Sequence, residues 1–189
     1  NLSHLLSGKL AFLNENKDLM EDDIVQQCRP AVVSVEAGTR QGTGFNVSPE
    51  GTIVTNEHIV AGATKIVIRF GDGRSFISHR YQAIPGVDAA VIRLSEEARD
   101  LPVIKLSREN TVQSGDTVII IGNPLGFEQI SQRGSVGQFH GVSGSDFPVF
   151  DIRVSINPGN SGSPVINEKA EAVGIVFASA FIKNNGSQE

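Results

Sequence analysis

Three residues whose side chains act together in acyl transfer occur along the chain in the order histidine, aspartate, serine. His58 follows an apolar run in TIVTNEHIV, Asp88 opens another in VDAAVIRL, and Ser161 lies in the glycine-rich segment INPGNSGSPV. A serine hydroxyl becomes nucleophilic beside an imidazole, and the imidazole needs a carboxylate to hold its tautomer and to stabilise its charged form. Their joint presence predicts a Ser-His-Asp triad.

Each of the three residues has a more ordinary explanation when it is taken alone. A histidine at a strand end is usually solvated, and an aspartate after Pro-Gly or a serine between glycines is usually a turn residue. An α/β-hydrolase is disfavoured because GNSGS departs from G-x-S-x-G and because the chain order is His, Asp, Ser. We expect no metal and no cofactor, because the histidines show neither pairs four residues apart nor cysteine partners: His4, His58, His79 and His140.

Short β-branched runs separated by glycines make up most of the chain. Many short strands with turn signals between them predict an all-β barrel or sandwich, and no helical pattern alternates with them. The runs that we read as strands are AVVSVEA, TGFNVS, TIVTN, TKIVIRF, AAVIRL, TVIIIG, PVFDIRVS and AVGIVFASA. His58 and Asp88 belong to the first half of these runs and Ser161 to the second, so the triad would lie in a cleft between two barrels.

The chain divides into a helical arm and two groups of strands. LSHLLSGKLAFL and MEDDIVQQC are helix-like, and Pro30 is expected to end the helix. The polar stretch SRENTVQSGD separates the strands into two comparable groups. We therefore predict a helical arm over 1–29 and a domain over 30–189, in which the first barrel covers about 30–106, a linker about 107–116 and the second barrel about 117–189.

The composition excludes several classes of partner. The chain has 189 residues, of which 39% are hydrophobic, enough to bury a core. No run approaches the roughly 18 consecutive apolar residues of a membrane span. The formal net charge of −5 and the scattered Lys and Arg leave no basic stripe, so we expect neither nucleic acid nor bound lipid as a partner. Cys28 is the one cysteine, which excludes an internal disulfide.

Three segments of the chain resemble the signature segments of one protein family. TNEHIV, VDAAVIRL and INPGNSGSPV are similar to TNxHVV, DLAVL and NPGNSGGP of the trypsin-like serine proteases of the HtrA/Deg family. The resemblance extends from about residue 22 to 179 and implies two antiparallel six-stranded β-barrels with the active site between them. It also implies a serine endopeptidase in which His58 is the general base, Asp88 its orienting carboxylate and Ser161 the nucleophile.

The resemblance further implies an oxyanion hole and a substrate pocket. Glycine permits a backbone conformation that points an N–H inward, so the amides of Gly159 and Ser161 are the expected oxyanion donors. In trypsin-like folds the residue six positions before the nucleophile lies at the base of the pocket. Here the pocket would hold no carboxylate and would favour cleavage after small or medium apolar residues; its expected lining is Ser155, Ile156, Ile175, Val176 and Phe177.

The chain departs from the family pattern in three places. Ser163 replaces the commoner second glycine, so a positive φ at that position would strain the loop. Arg153 stands where the family commonly has Asp, and the ending FIKNNGSQE lacks the usual final apolar strand. These departures leave open an alternative function, a protease-fold peptide-binding or chaperone-like module with little hydrolytic activity. A purely structural scaffold is disfavoured because it would not account for an intact triad.

The resemblance also implies a biological setting. HtrA/Deg proteases are associated with protein quality control and stress response outside the cytoplasm, often as trimers. We therefore expect unfolded or extended polypeptides as substrates and a homo-oligomer, such as a trimer, as the assembly. The expected location is extracytoplasmic: periplasmic, secreted or membrane-anchored.

Overall fold

The computed structural model describes residues 20–109, 112–123, 129–154 and 160–177. Within these ranges the chain forms two curled β-sheets, each a half-barrel, and two short α-helices. The all-β, trypsin-like fold expected from the sequence is confirmed. None of the helices in the described ranges has the length and hydropathy needed to cross a bilayer.

The first sheet has seven strands in the order β5-β4-β1-β2-β3-β7-β6, one more than the expected six. Its strands are β1 (Val32–Ala37), β2 (Arg40–Asn46), β3 (Thr52–Thr55), β4 (Ile66–Phe70), β5 (Ser75–Ser78), β6 (Gln82–Ala83) and β7 (Ala90–Arg93). In β4, Ile66, Ile68 and Phe70 are buried while Arg69 is exposed. This period of two is what a strand requires when one face covers a core, and it explains why these residues form a half-barrel.

The second sheet has six strands in the order β11-β10-β9-β12-β13-β8. Its strands are β8 (Lys105–Leu106), β9 (Thr117–Gly122), β10 (Ile130–His140), β11 (Val149–Arg153), β12 (Pro164–Ile166) and β13 (Glu171–Ile175). β8 pairs in parallel with β13, through Glu171 opposite Lys105. The chain therefore enters the second sheet at β8, before the stretch 107–116 that the sequence marks as a linker, and the domain boundaries remain a prediction.

The helix α1 covers residues 20–28 and is followed by a 3-10 turn, Arg29–Ala31, that contains Pro30. Its apolar side packs into a cluster that draws residues from both sheets, among them Phe45 of β2 and Ile119 and Ile166 of the second sheet. Cys28 belongs to this cluster and is 1% exposed. Burial raises the pKa of its thiol to about 11, so Cys28 is a packing residue and not a nucleophile.

Candidate active site

His58 lies in α2 (Glu57–Val60), a single helical turn that directly follows β3. Ile59 and Val60 are 2% and 0% exposed and anchor this turn in the core of the first sheet. The side chain of His58 is 50% exposed. Because two neighbouring side chains hold one face of the turn against the core, the imidazole projects from the opposite face.

Asp88 reaches His58 because of the pairing between β3 and β7. These strands are antiparallel with Thr55 opposite Ala90, so the residues after Thr55 meet those before Ala90. Oδ2 of Asp88 lies 2.5 Å from Nδ1 of His58, and Oδ1 accepts a hydrogen bond from the His58 peptide N–H at 3.0 Å. The carboxylate thus fixes both the ring and the backbone of one residue, and an Nδ1–H held in this way leaves Nε2 as the basic nitrogen.

Asn56 supports this pair and was not singled out by the sequence analysis. Its side chain is fully buried, and Nδ2 donates to the backbone oxygen of Asp88 at 2.8 Å. The bond ties the residue before α2 to the residue that orients the imidazole. The signal was present in the sequence, since Asn56 stands two positions before His58 in TNEHIV, but its partner could be identified only from the fold.

Ser161 lies in the segment that leads into β12, and its backbone is held from two sides. Its carbonyl accepts the N–H of Thr43 in β2 at 2.9 Å. The next residue, Gly162, donates its N–H to the carbonyl oxygen of Val176 at 2.8 Å and has a φ of +88°. A Cβ at Gly162 would lie 1.9 Å from the carbonyl oxygen of Thr43. Only glycine fits this position, as expected for the sharp turn at a nucleophile.

Gly42 of β2 is where the histidine and serine segments approach each other. A Cβ built on Gly42 would lie 2.2 Å from Cδ1 of Ile59, the residue after His58, and 3.1 Å from the carbonyl oxygen of Ser161. The helical turn that carries His58 and the loop that carries Ser161 therefore pack against the same residue of one strand. Because Asp88 contacts His58, the segments that carry all three predicted residues lie near Gly42, and their action as a triad stays a prediction.

The residues on either side of Ser161 and Gly162 are buried polar residues. Asn160 is 2% exposed and donates from Nδ2 to Oε1 of Gln132 in β10 at 3.1 Å. Ser163 is fully buried, donates its N–H to the Asn160 carbonyl, and accepts the N–H of Val176. In the described ranges, Asp100 and Ala170 are the non-glycine residues with positive φ. Ser163 is not among them, so the positive φ that would have strained the loop does not occur at this position.

The structure describes three of the five residues that are expected to line the substrate pocket. Ser155, Ile156 and Gly159 lie outside the described residues. Ile175 and Val176 pack towards the core clusters of the molecule, and Val176 is only 6% exposed. Ile175 is half-buried, and the role of both residues as pocket surface stays a prediction. Phe177, which is 41% exposed, remains available to a ligand. Arg153 is exposed at the end of β11.

Comparison with known proteins identifies the chain's relatives. The trypsin-like peptidase domain family matches residues 42–175. A protein named as a DegP-like periplasmic serine endoprotease from Pseudomonas savastanoi pv. phaseolicola is 37% identical over 136 residues, which cover 71% of this chain and 28% of that protein. The chain spans only 28% to 36% of the length of the first curated relatives that it matches.

Solved structures give the same result. The structure of Deg5 has a TM-score of 0.75 at 25% identity and covers 86% of both chains. The HtrA-type protease AlgW, solved with a decapeptide, has a TM-score of 0.72 at 26% identity over 87% of this chain and 60% of that one. Together with the match over residues 42–175, these likenesses show that the chain belongs to the trypsin-like peptidases, in their HtrA/Deg branch.

Proposed function

We propose that the chain is the catalytic domain of a serine endopeptidase that works through a triad of Ser161, His58 and Asp88. The observation that carries the proposal is the double contact of the Asp88 carboxylate with Nδ1 and the peptide N–H of His58, at 2.5 and 3.0 Å. A carboxylate in this position stabilises the imidazolium that forms when His58 accepts a proton. Family membership and the approach of both segments to Gly42 support the assignment of Ser161 as nucleophile.

The proposed reaction has two steps, acylation of Ser161 and hydrolysis of the resulting ester, and His58 carries the proton in both. Nε2 of His58 takes the proton from Oγ of Ser161 as the oxygen attacks the peptide carbonyl, and then gives it to the departing amine. Water then attacks the ester, with His58 again carrying the proton, and this step releases the second product. The oxyanion of each tetrahedral intermediate is assigned to the amides of Gly159 and Ser161, and one such donor contributes roughly 3 to 4 kcal/mol of transition-state stabilisation.

The proposed substrates are unfolded or extended polypeptides. AlgW was solved with a bound decapeptide, and an extended chain can bind along a strand edge through its backbone hydrogen bonds. Phe177 is an exposed apolar side chain that directly follows the strand pairing of this region, and Ser155 supplies no charge for a cation. Because desolvating an unpaired Lys or Arg is costly, we assign cleavage after small or medium apolar residues.

The proposed setting is extracytoplasmic protein quality control, with the chain assembled as a homo-oligomer such as a trimer. The location is supported by the relative from Pseudomonas savastanoi, whose name is that of a periplasmic endoprotease. The trimer is supported by membership of the HtrA/Deg family alone. Light scattering coupled to size-exclusion chromatography measures the assembly directly.

Labelling with a fluorophosphonate probe tests the proposed activity. We expect one adduct on Ser161, located by mass spectrometry, and none in the Ser161→Ala variant. The alternative of a peptide-binding module with little hydrolytic activity predicts peptide binding without an adduct. Binding of an extended peptide, measured by fluorescence anisotropy on the same sample, therefore separates the two functions.

A further inference from the structure

The exposed side chain of Arg40, at the start of β2, reaches across to the turn that carries His58. Nη1 donates a hydrogen bond to the carbonyl oxygen of His58 at 3.0 Å, and Nη2 donates to the carbonyl oxygen of Ala61. His58 is the second residue of this turn and Ala61 follows its last, and neither carbonyl is the one that closes the turn, which is that of Glu57. Arg40 thus caps the helical turn with one bidentate guanidinium.

This helical turn needs support from outside because it is too short to be stable by itself. It spans Glu57–Val60 and is closed by the bond from the Ala61 N–H to the Glu57 carbonyl at 2.8 Å. Asn56, at its N-cap, makes no side-chain capping bond. A single hydrogen-bonded turn does not offset the conformational entropy that it costs. The orientation of His58 therefore depends on groups that contact the turn from other elements.

The backbone of His58 is held by a charged side chain at each end. Its N–H is bonded to the carboxylate of Asp88, and its carbonyl is bonded to the guanidinium of Arg40. Fixing both peptide groups fixes the direction of the Cα–Cβ bond, and hence the position of the imidazole. The same strand also fixes the serine segment, because Thr43, three residues after Arg40, donates its N–H to the carbonyl of Ser161.

We propose that Arg40 is a positioning residue for catalysis, which acts by holding the His58 turn at a fixed distance from the Ser161 loop. The proposal rests on the proposed serine protease function, since Arg40 itself contacts neither substrate nor the reacting atoms. Arginine suits this role because its planar guanidinium carries donors on separate nitrogens, whereas lysine presents a single ammonium. Charge-assisted bonds of this kind are roughly twice as strong as neutral ones.

The test compares Arg40→Ala and Arg40→Lys with a matched control. Arg69→Ala removes the same type of side chain from β4 of the same sheet. There the Arg69 guanidinium contacts Glu36 and Ser75. We expect Arg40→Ala to slow fluorophosphonate labelling and to lower kcat by about 10- to 100-fold with a smaller change in KM, as a small misplacement of a catalytic group does. Arg40→Lys is expected to lie between Arg40→Ala and the wild type, and Arg69→Ala to equal the wild type.

Chemical rescue distinguishes positioning from general destabilisation. Ethylguanidinium at millimolar concentration should restore labelling of Arg40→Ala, and ethylammonium at the same concentration should restore less. The low-field proton resonance of the short Nδ1–H···Asp88 bond gives a readout that needs no turnover. It should be sharp in the wild type, broadened in Arg40→Ala and sharpened again by ethylguanidinium.

The outcomes separate this proposal from the proposed activity. A wild type that shows the low-field resonance but no labelling would refute the protease, and loss of the resonance in Arg40→Ala would then show only that Arg40 positions His58. Wild-type labelling and an unchanged resonance in Arg40→Ala would overturn the role of Arg40 and leave the protease intact. If Arg40→Ala does not fold, Arg40→Lys decides: a wild-type rate and resonance would refute the proposal, and a reduced rate with a broadened resonance would support it.

Discussion

The carboxylate of Asp88 bonds to two different atoms of His58, the ring nitrogen Nδ1 at 2.5 Å and the peptide nitrogen at 3.0 Å. One side chain therefore sets both the tautomer of the imidazole and the backbone position from which it projects. Asp88 is itself only 28% exposed in its side chain, and its own carbonyl is held by Asn56. Asp88, which orients the imidazole, is thus itself held in place by Asn56.

Asp88→Asn should abolish catalysis while keeping this architecture. The amide oxygen of asparagine can still accept the His58 peptide N–H, but its NH₂ would then face Nδ1 and impose the wrong tautomer. We expect kcat on a peptide ester to fall by about ten-thousand-fold with an unchanged melting temperature. Asp151→Asn is the matched control, because it alters another His-Asp pair, with His140, at 2.9 Å. A kcat for Asp88→Asn within tenfold of the wild type would contradict the triad.

Gly162→Ala should be far more destabilising than alanine at an ordinary glycine with positive φ. A Cβ at Gly162 would lie 1.9 Å from the Thr43 carbonyl oxygen at a φ of +88°, whereas Gly73 has a φ of +93° with no atom within 4 Å of its Cβ. Gly73→Ala should cost only the backbone strain of about 1 to 2 kcal/mol. We expect Gly162→Ala to cost about 3 kcal/mol or more in urea unfolding. Equal losses in the two variants would show that the loop relaxes around the new methyl group.

Cys28 should make the stability of the protein depend on alkaline pH. Its pKa is raised by burial from 9.0 to about 11, so the folded state keeps the thiol proton where the unfolded chain loses it. The stabilisation is complete below pH 9 and is lost as the pH rises towards 11. We therefore expect the urea stability of the wild type, relative to Cys28→Ala, to decline across that interval. A difference between the two proteins that stays constant with pH would be evidence against the shift.

Cleavage specificity should respond to Phe177. Its ring is 41% exposed beside the strand that follows the nucleophile segment, so Phe177→Ala should deepen the pocket and favour larger apolar residues before the cut. Burial of a Val- or Leu-sized side chain stabilises by roughly 1.5 to 3 kcal/mol, enough to shift the preference by about tenfold or more. Cut sites in casein, mapped by mass spectrometry, measure this, and Phe147→Ala removes another exposed ring as the control. A dominant preference for Lys or Arg would refute the apolar pocket.

The relation between His58 and Asp88 was within reach of the sequence. His58 follows one apolar run and Asp88 precedes another, and these runs form neighbouring strands, β3 and β7, whose antiparallel pairing brings the two residues together. The glycine at 162 was also readable as a turn residue. The short apolar runs likewise predicted the all-β fold correctly, because alternation and turn residues are local properties of the chain.

The contacts made by Arg40 and Asn56 were out of reach. Each of these side chains donates to a backbone carbonyl. Because every residue has a backbone carbonyl, the sequence does not indicate which residue is the partner. Whether Ser163 needs a positive φ could not be decided from the sequence, because φ at this position depends on the hydrogen bonds of the folded loop. The burial of Val176 could not be predicted either, because the direction of a side chain at a strand end depends on register, which a single sequence does not contain.

The cluster around α1 joins the two half-barrels through one apolar interior. Phe45 of the first sheet and Ile119 and Ile166 of the second share one apolar interior with Ile24 of the helix. Separating the sheets would expose that interior to water, so the cluster couples the stability of the two sheets. His58 and Ser161 belong to segments that both pack against Gly42 of the first sheet, outside this interior. A cavity made in this interior would therefore lower the stability of both sheets together.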